Sequence, residues 1–374
     1  MIFSILILLI AFFSLVVLMI LHEFGHFFIA KYFRVRIDEF GIGYPPRIFG
    51  KKIGETIYSI NWVPLGAFVR IHGEEGGVDD YRSFSNLKIW QRFLVVLGGV
   101  LAFWIASVVI FSLVFFMGVS LPIGDEDADG FANPQINIIS VFPDSPAQKA
   151  GIKAKDIIKG IKTNNNIFYI DKIADFQKIT NENKGKEITL LVERNGKKLE
   201  INLIPRITPP SGQGIVGVSL ERMATLVQKY SWYEAPIQGA IYTGKVTMLS
   251  LKGIYIILSN LIIARELPKS AEFAGPLGIT VFLANAATYG IGFFLYFIGT
   301  VSVLVAIFNL FPIPALDGGK LVFLLIEKLK GKPVSVKVEQ RITAACFMLL
   351  IILSLFVTIK FDIPRFTDFI KSII

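Results

Sequence analysis

The sequence predicts an α-helical polytopic membrane protein of about four transmembrane helices, with an α+β domain inserted between them. Three observations carry this. The chain has 374 residues, 53% of them hydrophobic, and a mean hydropathy of +0.61, values of a membrane protein rather than a soluble one. Four stretches approach or exceed the roughly 20 apolar residues that a bilayer-spanning helix needs. Between about residues 121 and 210 the composition turns soluble, with strand and turn signals.

The first apolar stretch runs from Ile2 to Ala30, and Glu23 is its single formally charged residue. It lacks the basic start and small-residue cleavage site of a removable signal peptide. The second follows Arg92, from Phe93 to about Ser120. The third lies in the uncharged run between Glu272 and Asp317, from Ile291 to Phe311. The fourth spans Ile342 to Ile359. These divide the chain into 1–120 with two spans, 121–210 as the inserted domain, 211–290 as a linker, and 291–374 with two further spans. Within the linker, Lys245 and Lys252 interrupt the apolar sequence from Trp232 to Arg265. Gly253 to Ala264 alone is short for a span, so an interfacial helix is expected there.

The loop after the first span carries Lys31, Arg34, Arg36, Arg47, Lys51, Lys52, Arg70, Arg82, Lys88 and Arg92. The loop after the third carries Lys320, Lys328, Lys330, Lys332, Lys337 and Arg341. The positive-inside rule makes both cytoplasmic, and puts the N-terminus and inserted domain outside. Inside loops facing anionic headgroups account for the net charge of +9, so no nucleic-acid partner is implied. Cys346 is the single cysteine and can form no disulfide within the chain.

In the inserted segment, Ile136 to Val141 reads as a strand. Ser145-Pro146-Ala147 opens a short helix, with proline tolerated in the first turn, and Gly151 closes it. Ile188 to Glu193 and Lys198 to Ile204 flank Asn195-Gly196, a hairpin signature.

The chemistry lies in His22-Glu23-Phe24-Gly25-His26. Histidines at i and i+4 share one helix face, so both imidazoles reach one ion, and the adjacent glutamate can take a proton from a water there. A carboxylate inside a span is costly and marks a functional site. A catalytic zinc takes three protein ligands. His72, the remaining histidine, lies in a polar loop. Asp317 is the better third ligand. It follows Asn309-Leu310-Phe311-Pro312-Ile313-Pro314 at the inner end of the third span. His22 lies roughly 30 Å along its helix from the outer end, at the same inner depth. Pro312 and Pro314 break the helix, which membrane proteins tolerate where backbone lines a cavity. The plainer reading of Asp317, a helix-boundary charge, gives way once the histidine pair stands at matching depth.

These residues resemble the site-2 protease family, intramembrane zinc metalloproteases of the bacterial sigma-E-regulating type, across nearly the whole chain. His22 to His26 matches the family's H-E-x-G-H motif, and Asn309 to Gly319 its N-x-x-P-x-P-x-L-D-G-G motif. Pro64-Leu65-Gly66-Ala67-Phe68-Val69 resembles its membrane-entering β-hairpin, Gly41 to Pro46 its upstream glycine loop, and Gly275 to Ile279 its G-P-x-G-I element. Ala102 stands where the family often has asparagine. The inserted segment is similar to one PDZ domain of the periplasmic-protease type.

The resemblance implies a zinc endopeptidase of the inner membrane that cleaves single-span membrane proteins, such as anti-sigma factors, or remnant signal peptides. Zn2+ would be held by His22, His26 and Asp317, with Glu23 as base. Pro64, Leu65, Gly66, Ala67 and Phe68, together with Asn309, would contact substrate. The PDZ-like domain would contact a peptide or exclude large ectodomains. A client-binding homologue without activity and a metal transporter are the alternatives, and the intact glutamate and ligand set argue against the first.

Overall fold

The computed structural model describes residues 2–74, 80–118, 120–125, 131–163, 166–210, 213–226, 229–263 and 273–373. Helix α1 (Ile2–Tyr32) is unbroken, as a run of aliphatic and aromatic residues without internal proline requires. Strands β1 (Ile37–Ile53) and β2 (Thr56–Ile71) follow. Each long strand folds back on itself. Phe40, Gly41 and Ile42 face Val69, Phe68 and Ala67 on one side and Tyr58, Ser59 and Ile60 on the other. Segment 37–42 is therefore interior to the sheet, and segments 67–71 and 47–53 form its edges. Gly41 is needed because a Cβ there would come within 2.3 Å of the Phe68 ring. Val35, Ile37, Ile71 and Phe84 anchor the sheet against Ala30, Val95 and Val96.

A short 3-10 turn leads into α2 (Ile89–Met117). It crosses α1 closely: a Cβ on Gly25 would meet the Gly98 carbonyl oxygen at 2.2 Å and the Ala102 Cβ at 2.9 Å. Small residues allow such approach in membranes. Ala102 thus packs against Gly25.

The inserted domain holds β3 (Ser120–Pro122), β4 (Phe131–Val141), α3 (Pro146–Lys149), β5 (Ile157–Lys162), β6 (Ile167–Tyr169), α4 (Ile173–Glu182), β7 (Ile188–Arg194), β8 (Lys197–Leu203) and β9 (Val218–Leu226). The sheet order is β3-β9-β4-β5-β7-β8, with β6 paired to β5. Ser145 caps α3 by accepting the Gln148 N–H, and Asn195 and Gly196 turn the β7–β8 hairpin with positive φ. Ile136, Ile158, Ile161, Ile188, Leu190 and Val192 form its core with Phe176 of α4.

Helix α5 (Ala235–Ile263) corrects one expectation. The two lysines do not divide it. It is one continuous helix of 29 residues, and by length and composition it is a fifth helix able to cross a bilayer. The helix therefore starts at Ala235 rather than at Gly253; Ala264 lies outside the described residues. The reason is helix cooperativity: each added residue extends a hydrogen-bond ladder already nucleated, and Gly239 seats the helix on α2 beside Ser112 and Val108.

Helices α6 (Pro276–Thr288) and α7 (Ile291–Asn309) follow. Ser107 donates to the Gly299 carbonyl at 2.7 Å and Ser302 to the Phe103 carbonyl at 2.8 Å, joining α2 to α7. Helix α8 (Asp317–Lys330) is amphipathic. Helices α9 (Val336–Val357) and α10 (Ile363–Ile373) are joined by a π-helical segment, Thr358–Asp362. Asp362 is fully buried and accepts the Gly275 N–H at 3.0 Å, placing a carboxylate at the start of α6. No residue of α9 is buried. The fold is that of a multi-pass membrane protein with an inserted β-rich domain.

Candidate metal centre

Helix geometry puts His22 and His26 on the face of α1 that meets α2 and α8. Their rings lie 4.7 Å apart, edge to face, and His22 stacks on Phe103 at 4.7 Å. Both are buried, at 6% and 8% exposure. His26 Nδ1 lies 2.9 Å from the Val95 carbonyl oxygen. That oxygen can only accept, so it holds the proton on Nδ1 and leaves Nε2 as a free donor atom for a metal. Gly99 makes room for the pair: a Cβ there would lie 2.2 Å from His26 Nε2 and 2.6 Å from His22 Cε1.

The third group comes from the far end of the chain. Pro312 and Pro314 keep the segment after α7 from continuing as helix. The chain turns through Ile313 N–H to Phe311 O at 2.7 Å and Leu316 N–H to Ile313 O at 2.8 Å. Asp317 then opens α8. Gly318 and Gly319 pack its first turn against this segment, where a Cβ would come within 2.2 Å of the Phe311 oxygen or 2.3 Å of the Ile313 oxygen.

Asp317 Oδ2 lies 3.4 Å from His22 Nε2 and 3.5 Å from His26 Nε2, and the two Nε2 atoms lie 3.2 Å apart. Zinc bonds of about 2.0–2.1 Å at tetrahedral angles separate neighbouring ligand atoms by about 3.3 Å. The three atoms thus stand at zinc-ligand spacing. Asp317 Oδ2 is buried with no hydrogen-bond partner, an orphan that a cation would satisfy. Two imidazoles and a carboxylate suit zinc. Among the described residues this is the single cluster of metal-ligand type.

Glu23 is next in sequence to the first histidine, and its Oε2 accepts the Val69 N–H at 3.0 Å. The segment 67–71 therefore turns its outer edge to the candidate base. Of the expected substrate-binding residues, Pro64 and Leu65 are exposed, while Gly66 and Ala67 are buried beside α1 and Phe68 is half-buried. Asn309 turns back on its own helix, its Nδ2 donating to the Val305 carbonyl at 3.1 Å. His72 stands apart from the histidine pair, between Asp38 at 3.0 Å and Asp80 at 3.4 Å. Val95, Gly99, Phe103 and the Val69 amide were not anticipated. Three of these four act through backbone or through a missing side chain, and only the Gly98-Gly99 pair inside an apolar helix was a signal in the sequence.

The profile of peptidase family M50 matches residues 10–353. The chain belongs to peptidase family M50. A Clostridium acetobutylicum protein named "Putative zinc metalloprotease" is 33% identical over 344 residues, covering 92% of this chain and 94% of that protein. A Clostridium perfringens protein of the same designation is 33% identical over 343 residues, with the same coverage of 92% and 94%. The regulator of sigma-E protease of Escherichia coli (strain K12) is 28% identical over 442 aligned positions, covering 92% of this chain and 96% of that protein. Family membership and donor set together make this M50 member a zinc metalloendopeptidase of the site-2 type.

Proposed function

We propose that this M50 peptidase hydrolyses peptide bonds within or beside transmembrane segments of single-span membrane proteins, including anti-sigma factors or remnant signal peptides. The observation that carries the reading is the convergence of His22, His26 and Asp317 donor atoms within 4.8 Å, the two histidines on a helix long and apolar enough to cross a bilayer, with Glu23 beside them. His22, His26 and Asp317 would hold the zinc, which would supply Lewis-acid polarisation of a scissile carbonyl and of a water. Glu23 is the carboxylate beside that site able to accept a proton and return it to a leaving amine. The Val69 N–H occupies Glu23 Oε2 and leaves Oε1 for this transfer.

A substrate helix satisfies its own backbone groups and must unwind before cleavage. The edge around Pro64 to Phe68 receives the unwound segment as an added strand. Asn309, satisfied within α7, acts by supporting the turn that leads to Asp317. The protein sits in the inner membrane with N-terminus and inserted domain outside, in line with the lysine and arginine distribution. The PDZ-like domain takes extended peptide between α4 and β9. A groove of about 370 Å³ there, lined by Phe176, Thr180, Lys184, Ile215, Val216 and Val218, supports this.

The test is the purified Glu23→Gln variant with a membrane-segment substrate. It keeps its zinc and loses cleavage; undiminished cleavage would sink the mechanism.

A further inference from the structure

We infer that Glu74 and Lys320 form a positioning pair that holds the edge segment 67–71, and through it Glu23, against the metal centre. The inference rests on the proteolytic reading above. Lys320 lies on α8, one turn beyond Asp317, and its Nζ donates to Glu74 Oε1. Glu74 follows β2 by three residues and Val69 by five. The strand therefore has two attachments across the centre. At Val69 its N–H goes to Glu23 on α1, and at Glu74 its carboxylate goes to the helix that starts with Asp317. Its other backbone hydrogen bonds run to the sheet and its loops, among them the pairing with 37–42, the His72 N–H to the Arg36 oxygen, and the His72 oxygen taking the Phe84 N–H, while Val69 and Ile71 pack in the apolar cluster with Ala30, Val95 and Val96.

The geometry separates this pair from an ordinary surface ion pair. Glu74 and Lys320 both line an open cavity of about 770 Å³ bordered by α2, α8 and α9, with side-chain exposures of 22% and 44%. Partial withdrawal from water strengthens a charge-assisted hydrogen bond. Seven residues along the same face of α8, Glu327 binds Arg92 of α2, with Nη1 to Oε2 at 3.0 Å, so α8 is itself fixed. Lys320 then transmits a fixed reference to the strand. Removing the pair leaves the ligands of the metal in place and frees the strand end. The Val69 N–H then holds Glu23 for a smaller fraction of the time.

Full-length Glu74→Gln, Lys320→Met and Lys320→Arg variants test this in liposomes, by amide hydrogen exchange of segment 67–71, zinc content, and kcat against KM on a transmembrane-segment peptide. In Glu74→Gln and Lys320→Met, exchange of 67–71 rises and kcat falls, each about threefold to fivefold, the size of a partly exposed ion pair. Zinc content stays unchanged, any rise in KM is smaller than the fall in kcat because only Ala67 and Phe68 are shared with the substrate edge, the double variant is no worse than either single one, and Lys320→Arg stays near wild type. Unchanged exchange in both variants overturns the inference. So does a rise in KM with kcat unchanged, or loss of zinc in Lys320→Met alone, which would put Lys320 at the metal. If Lys320→Met does not fold, the near-isosteric Glu74→Gln decides. Should the wild type cleave nothing, the proteolytic reading fails, and the exchange measurement still decides the pair.

Discussion

At the residue scale the centre is defined by atoms that must be present and by one that must be absent. Gly99 is the second kind. A methyl group at that position would overlap both imidazoles, so Gly99→Ala forces the histidines apart. Zinc affinity should fall about 10–100-fold, as it does when groups orienting a ligand are lost; competition with a chromophoric chelator measures it. Asp317→Asn keeps the shape but removes the anionic oxygen, so zinc content should drop; unchanged content would remove Asp317 from the ligand set. The Val95 carbonyl cannot be mutated away, which gives the tautomer of His26 a constraint independent of side-chain identity.

At the element scale, local pattern and distant backbone contributed differently. The i, i+4 histidines, the Asp317 motif and the Asn195-Gly196 hairpin were legible because each is written within a few consecutive residues. The β1–β2 fold-back was not, because its register depends on which edge of 37–42 each half of β2 meets, and no alternation in the sequence encodes that. The unity of α5 was hidden by Lys245 and Lys252, since hydropathy counts charge without knowing that a helix already begun continues through it. Inside the inserted domain, Asp156 is fully buried and accepts Arg194 Nε at 2.6 Å, Arg194 Nη2 at 2.7 Å and the Lys153 N–H at 2.9 Å. Hydrogen bonds to a charged group contribute about 1.5–3 kcal/mol, and the Arg194 left behind is partly solvent-accessible. Asp156→Ala should therefore lower the urea midpoint of this domain sharply and leave zinc content untouched.

At the scale of the whole molecule, Tyr289 ties the inserted domain to the helices. Its hydroxyl, at the turn between α6 and α7, reaches the Ile138 and Ile139 carbonyl oxygens of β4 at 3.2 and 3.0 Å. Burial pushes its pKa up to about 12. It stays a donor across the physiological range. The folded state resists ionisation that the unfolded chain undergoes near pH 10, so the contact loses stability only as pH rises from about 10 toward 12. Tyr289→Phe removes the donor at every pH. Spin-label distances between β4 and α7 should broaden in that variant, and an unchanged distribution would show that other contacts hold the domain.

The proposed zinc ligands lie far apart along the chain: His22 and His26 come from α1, and Asp317 follows His22 by 295 residues. At synthesis rates of about 5–20 residues per second, the ribosome needs roughly 15–60 s to bridge that gap. A metal centre arranged in this way is incomplete in the nascent chain until Asp317 has been made.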